Sequence, residues 1–171
     1  MLQQVARDIK DLKIQGATNI AYAALDALTS VVKSRGNLTK AKKLLFNTRP
    51  NEPMMYNAVD YVINKVKAGD DGLDVINALR KRFDKANDLM AMAGKGLIKR
   101  GSTVFTHCHS SSVMKVFKAS ARDIKLVYCT ESRPRYQGRL TAKELIKYGL
   151  KVSQCVDSAV ADYIKKVAEK N

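Results

Sequence analysis

The sequence predicts an α/β protein: an N-terminal helical bundle, residues 1–95, followed by a small parallel-sheet domain, residues 96–171. Apolar residues in the first part recur at helical spacing, with glycines and prolines between the segments. Three β-branched runs in the second part alternate with helical patterns, which is typical of βαβ units. The boundary is predicted near Gly94–Gly96, without a long linker.

The helical domain is predicted to contain five helices. Their apolar positions lie three or four residues apart, and Gly16, Pro50 and Pro53 interrupt the pattern. The helices are placed near residues 5–12, 20–28, 39–46, 54–66 and 72–93.

The second domain is predicted to be a truncated Rossmann-like sheet of about three βα units. Strands are expected over 103–106, 124–130 and 151–156. Each strand is followed by a helix, and these helices begin at Ser110, at 141 (to 148) and at 158 (to 168). A parallel sheet usually has more than three strands and both faces covered. The chain is therefore expected to be incomplete, to pair with a partner, or to be a small version of its fold.

The segment Gly101–Gly138 carries the strongest candidate for chemistry, Cys108. Ligands of such sheets bind at the carboxyl ends of the strands, where Cys108 lies between His107 and His109. A thiol before a helix start is suited to act as acid, base or nucleophile, although a lone cysteine more often fills space in a core. Metal binding is not expected, because neighbouring residues of a strand point in opposite directions and the chain has 2 histidines.

Three further groups are candidates for binding an anion. Ser110, Ser111 and Ser112 begin a helix, whose first N–H groups favour negative charge. In the loop 131–138, Arg133 and Arg135 offer guanidinium donors and Gln137 a neutral one. In the helical domain, Gln15, Gly16, Ala17 and Thr18 form a helix start, and Arg49 stands at a helix break; taken alone, both are more often caps and turns.

Composition limits the functional classes. The net charge is +15, which attracts phosphate groups, from sugar phosphates to nucleic acid. Nucleic-acid binding is not favoured, because the lysine-rich tracts lack interleaved aromatic residues. The 3 cysteines show no C-x-x-C spacing, and no signal or membrane span is recognised, so a cytoplasmic location is expected. Cys129 and Cys155 are interpreted as structural.

Four segments resemble the translation initiation factor 2B alpha/beta/delta-like family, which includes archaeal ribose-1,5-bisphosphate isomerase and methylthioribose-1-phosphate isomerase. They are Ile14–Ala21, Thr48–Pro50, Thr106–Ser110 and Thr130–Pro134, in the family's order. The Thr-His-Cys segment resembles the corresponding segment of the isomerases. The Thr-Glu-Ser-Arg-Pro segment favours assignment to the ribose-bisphosphate branch of the family.

This resemblance implies that Cys108 is the catalytic cysteine and that Gln15–Thr18, Arg49 and Ser110–Ser112 hold substrate phosphate. Bisphosphate isomerases tend to have arginine where Gln15 stands. They also pair the cysteine with an aspartate of a later Gly-Ala-Asp segment, which this chain does not reach; Asp157 matches a different family position.

The predicted function is therefore a ribose-1,5-bisphosphate isomerase-like activity without a redox cofactor. It is expected to need a homo-oligomer or a complementary C-terminal chain. The alternative is a non-catalytic regulatory or binding subunit related to initiation factor 2B.

Overall fold

The computed structural model describes residues 1–169. The chain divides into two compact units, a helical unit over Met1–Asp84 and an α/β unit from Lys85 onward. Within the described residues, no helix combines the length and the apolar character needed to cross a membrane.

The helical unit is formed by the first four helices and the beginning of a long fifth helix. Their bounds are α1 Leu2–Lys10, α2 Ala17–Lys33, α3 Leu38–Phe46, α4 Pro53–Lys67 and α5 Gly72–Leu97. Asn37 caps α3 by accepting the Lys40 N–H at 2.9 Å, and Pro53 occupies the first turn of α4, where its missing N–H costs little.

Helix α2 forms the centre of the helical unit. Ile20, Leu25 and Leu28 on α2 are fully buried, and so are Val59 and Val62 of α4, against which α2 packs. Burial of each large aliphatic side chain contributes about 1.5–3 kcal/mol. The predicted apolar spacing therefore corresponds to the core of this unit.

The α/β unit contains a parallel sheet with the strand order β1-β2-β3. Its elements are β1 Ser102–Thr106, α6 Ser111–Ala119, β2 Ile124–Thr130, α7 Gln137–Lys147, β3 Val152–Cys155 and, after a 3₁₀ turn over Asp157–Ala159, α8 Val160–Ala168. The prediction of a parallel α/β unit with three strands is confirmed.

The central strand β2 provides much of this unit's core. Val127 is fully buried, and it pairs with Val104 of β1 and Val152 of β3. Phe117 of α6 and Leu145 of α7 belong to the same apolar cluster. The helices between the strands thus contribute to the same core as the central strand.

Two predicted boundaries differ from the structure. Helix α5 continues through Gly94 and Gly96 to Leu97. A Cβ at Gly94 would lie only 2.6 Å from a methyl group of Val116, so this glycine permits close packing and does not end the helix. Helix α7 begins at Gln137, four residues before the predicted start at Thr141. Gln137 is therefore a helical residue and not part of an extended loop.

Candidate functional site

The carboxyl ends of the three strands meet at one edge of the sheet. Thr106 pairs with Cys129, and Thr130 pairs with Cys155, so the strands end nearly level with one another. The loops that follow them are held together by hydrogen bonds among side chains and backbone amides, as described below. This is the edge at which ligands bind in open parallel sheets.

Cys108 lies at this edge, two residues after β1. Its backbone is left-handed, with φ of 63°, and its N–H donates to Ser132 Oγ at 2.8 Å. The thiol is partly buried and donates to Gln137 Oε1 at 2.8 Å. The structure therefore brings together the predicted cysteine and one of the predicted loop residues.

The two histidines beside Cys108 bond to different elements. His107 Nδ1 lies 2.6 Å from Thr130 Oγ1 at the end of β2, whereas His109 Nδ1 lies 2.9 Å from Thr141 Oγ1 on α7. The histidines contact different elements because the left-handed backbone of Cys108 between them interrupts the extended chain, which would otherwise place residues two apart on one face.

The proton on His109 can be assigned from its partner. Thr141 Oγ1 donates its single proton to the Cys108 carbonyl at 2.7 Å, so His109 Nδ1 must donate to Thr141. The other ring nitrogen, Nε2, lies 3.6 Å from a carboxylate oxygen of Glu144. Tyr148 also donates to Glu144, and burial together with this carboxylate raises the pKa of Tyr148 to about 12.

Asp157 is a site residue that sequence reasoning did not select. Its carboxylate accepts the N–H groups of Ser132 at 2.8 Å and Arg133 at 2.7 Å. The hydrogen bond from Arg133 contributes most to lowering the pKa of Asp157 below its usual value; Ser132, Thr130 and His107 act in the same direction, and desolvation opposes them. The position of Asp157 directly beyond β3 was the available signal.

The predicted arginines of the loop after β2 lie on its exposed side. The guanidinium carbon of Arg133 lies 5.3 Å from the centre of the Tyr136 ring, and that of Arg139 lies 4.1 Å from the same ring. Arg135 is exposed. These side chains place positive charge beside the Cys108 edge.

The serines after Cys108 begin α6. Ser110 is the N-cap residue and accepts the Val113 N–H at 3.4 Å, while Ser111 and Ser112 occupy the first turn. The Val113 amide is thus capped, whereas the amides of Ser111 and Ser112 have no acceptor within the helix and can bind an anion.

The remaining predicted residues lie in the helical unit. Gly16 caps α2 with φ of 86°, directly before Ala17 and Thr18, and Gln15 donates to the Leu12 carbonyl at 2.7 Å. Arg49 pairs through Nε with Glu52 at 3.3 Å, and its Nη1 is buried without a hydrogen-bond partner in the described structure. A buried guanidinium N–H without a partner is rare, and a bound anion would satisfy it.

Cys129 and Cys155 are both buried. Burial raises the pKa of Cys129 to about 11, with a smaller contribution from Cys155 and an opposing hydrogen bond from Gln154. Burial also raises the pKa of Cys155. Both thiols remain protonated near neutral pH, unlike a reactive cysteine.

Solved structures share this fold. A Pyrococcus horikoshii translation initiation factor eIF-2B has a TM-score of 0.79 at 22% identity, over 97% of this chain and 63% of that chain. A 5-methylthioribose 1-phosphate isomerase from the same organism has a TM-score of 0.75 at 23% identity, over 96% of this chain and 54% of that chain. These similarities establish the fold class.

The chain belongs to the initiation factor 2 subunit family, whose model matches residues 13–170. A ribose 1,5-bisphosphate isomerase from Thermococcus kodakarensis is 36% identical over 95% of this chain and 57% of the relative. A ribose 1,5-bisphosphate isomerase from Methanocaldococcus jannaschii is 33% identical over 98% of this chain and 59% of the relative. The chain thus spans less than two thirds of the length of these relatives.

Proposed function

We propose that this chain takes part in the isomerisation of a sugar bisphosphate, with ribose 1,5-bisphosphate as the substrate. The observation that carries the proposal is Cys108, held at the strand ends against Gln137 and beside the first turn of α6. Similarity to ribose 1,5-bisphosphate isomerases over nearly the whole chain supports the same substrate class.

The net reaction moves one hydrogen from C2 to C1 of the sugar. The C2 hydroxyl becomes a carbonyl, and the bond from C1 to the ring oxygen breaks, with the ring oxygen taking the hydroxyl proton. C1 is reduced as C2 is oxidised, so the atoms and electrons balance without a redox cofactor. The role proposed for Cys108 is proton transfer at C1 and C2, a role for which a positioned thiol is suitable.

The phosphate groups require several positive or donating groups. In the α/β unit we assign this role to the first turn of α6, Ser110–Ser112, and to Arg133 and Arg135, with Gln137 as a neutral donor. In the helical unit we assign it to Gln15–Thr18 at the start of α2 and to Arg49, whose Nη1 is buried and without a partner in the described structure.

A second chain is proposed to associate with this one, either another copy or a complementary chain. Within residues 1–169, β1 and β3 each have a neighbouring strand on one side only. Helix α8 has an apolar face, yet Ile164 on it is 50% exposed and none of the helix's described residues is buried. An open strand edge beside a half-covered apolar helix is suited to further pairing.

The three free thiols fit a reducing compartment such as the cytoplasm.

The test is an isomerase assay on ribose 1,5-bisphosphate, run with this chain alone and with candidate partner chains from the same genome. Formation of the 2-ketose bisphosphate by one of these preparations supports the proposal. Absence of turnover in every combination, with a folded protein, refutes it and favours the rival interpretation as a non-catalytic binding subunit.

A further inference from the structure

Backbone strain is concentrated at the candidate site. Cys108, Ser132 and Tyr136 have φ of 63°, 59° and 53°, in the left-handed region. This conformation is unfavourable for residues with a Cβ and persists where surrounding contacts hold it. The contacts that hold Cys108 and Ser132 can be followed from atom to atom.

The first contact is the pair of hydrogen bonds between the Asp157 carboxylate and the loop after β2. One carboxylate oxygen accepts the Ser132 N–H at 2.8 Å, and the other accepts the Arg133 N–H at 2.7 Å. Because both oxygens are used on successive amides, they fix the direction of the backbone at this point. The low pKa of Asp157 keeps the carboxylate charged at neutral pH.

The second contact passes from this loop to Cys108. Ser132 is only 4% exposed, and its Oγ accepts the Cys108 N–H at 2.8 Å. The fully buried Thr130 lies 2.9 Å from the same oxygen and restricts its position. The backbone of Cys108 is thus tied to Ser132, and the backbone of Ser132 is tied to Asp157.

We infer that Asp157 is a positioning residue for Cys108, acting through Ser132 to hold the thiol against Gln137. Asp157 is not assigned a proton-transfer step. Its importance for catalysis rests on the proposed function, whereas its effect on the thiol does not. If Asp157 only supported the 3₁₀ turn, its loss would expose the buried thiols in parallel with Cys108.

The test measures alkylation of each cysteine by iodoacetamide as a function of pH, with the labelled peptides assigned by mass spectrometry. We expect Asp157→Ala and Ser132→Ala each to raise the rate at Cys108 about three- to tenfold, because the thiol is released from its fixed position. The double variant should show no more than the larger single effect, because both residues act through one connection. Asp157→Asn, which keeps one acceptor oxygen and the side-chain shape, should give a smaller increase.

Two controls separate positioning from general loosening. Asp162→Asn changes an exposed carboxylate on α8 and should leave the rate at Cys108 unchanged. Cys129 is fully buried, so its labelling should stay slow in all variants. An unchanged rate at Cys108 in Asp157→Ala, or labelling of Cys129 that increases in parallel, overturns the inference.

A second readout applies to a preparation that turns over substrate. There, Asp157→Asn should lower kcat by a larger factor than it raises KM, because Asp157 positions Cys108 through Ser132 and, among the groups assigned to the phosphates, contacts only the backbone of Arg133. If no preparation turns over substrate, the proposed function fails, and the alkylation rates still decide the role of Asp157.

Discussion

The Cys108 thiol donates to the Gln137 side-chain oxygen at 2.8 Å, which joins the loop after β1 to the first residue of α7. The two residues are 29 positions apart in the chain. The parallel register of β1 and β2 brings them to the same edge of the sheet. Cys108 is therefore fixed by the fold and is not an isolated surface thiol.

Selective alkylation should identify Cys108 as the accessible thiol of the wild-type chain. Cys108 is partly buried, whereas Cys129 and Cys155 lie in the core, where the reagent reaches their thiols only after local unfolding. We expect iodoacetamide at pH 8 to label Cys108 at least about tenfold faster than either buried cysteine. Peptide mapping after timed quenching measures the three rates, and equal rates would show that the loops do not have this arrangement.

Gly138→Ala should damage the candidate site and the stability of the α/β unit. A Cβ at Gly138 would overlap the Thr130 carbonyl oxygen, which belongs to the backbone and cannot rotate away. We expect a loss of about 1–3 kcal/mol or a failure to fold, measured by urea unfolding.

Gly96→Ala is the matched control for this substitution. Gly96 lies in α5, and an added Cβ would have no neighbour within 4 Å in the described structure. Alanine is the better helix former, so we expect unchanged or slightly greater stability, by at most about 1 kcal/mol. If Gly138→Ala were as harmless as Gly96→Ala, the close approach of α7 to the end of β2 would be wrong.

Acid should remove the stabilisation that Asp157 provides. Its pKa in the folded protein lies below the ordinary value of 3.8. The contribution is therefore present above about pH 4 and is lost as the pH falls through the folded pKa. Asp157→Asn should be less stable than the wild type at pH 7, and the difference should shrink at pH 3.

Urea unfolding at pH 7, 5 and 3 measures this difference, with Asp162→Asn as the reference for an exposed carboxylate. The prediction fails if the gap between wild type and Asp157→Asn is constant over this range. It also fails if Asp162→Asn shows the same pH dependence.

The sequence predicted the three strands closely because their β-branched runs are short and clearly separated. The strand over Ile124–Thr130 has the predicted bounds, and each changed bound of the other two strands differs by one residue. Cys108 and the serines were recognisable because their place after a strand and before a helix is a local property. The parallel topology followed from the alternation of strands and helices.

The contacts within the site were less predictable because they join distant segments. The position of Asp157, two residues beyond β3, indicates the right edge, but the amides that it binds follow from the folded loop. Gln137 was predicted to lie in the loop 131–138, which follows the second strand and includes Gly138. In the structure, Gly138 instead allows α7 to approach Thr130. This role could not be predicted from the sequence because it depends on the tertiary packing.

The catalytic role of Cys108 is tested most directly by turnover of ribose 1,5-bisphosphate by the active preparation, compared between the wild type, Cys108→Ser and Cys155→Ser. We expect Cys108→Ser to lower kcat at least about a hundredfold while the protein stays folded, because a serine hydroxyl is a poor substitute for the thiol in proton transfer. Cys155→Ser changes a thiol that is not assigned to catalysis and should keep most of the activity. Full activity in Cys108→Ser would contradict the central claim.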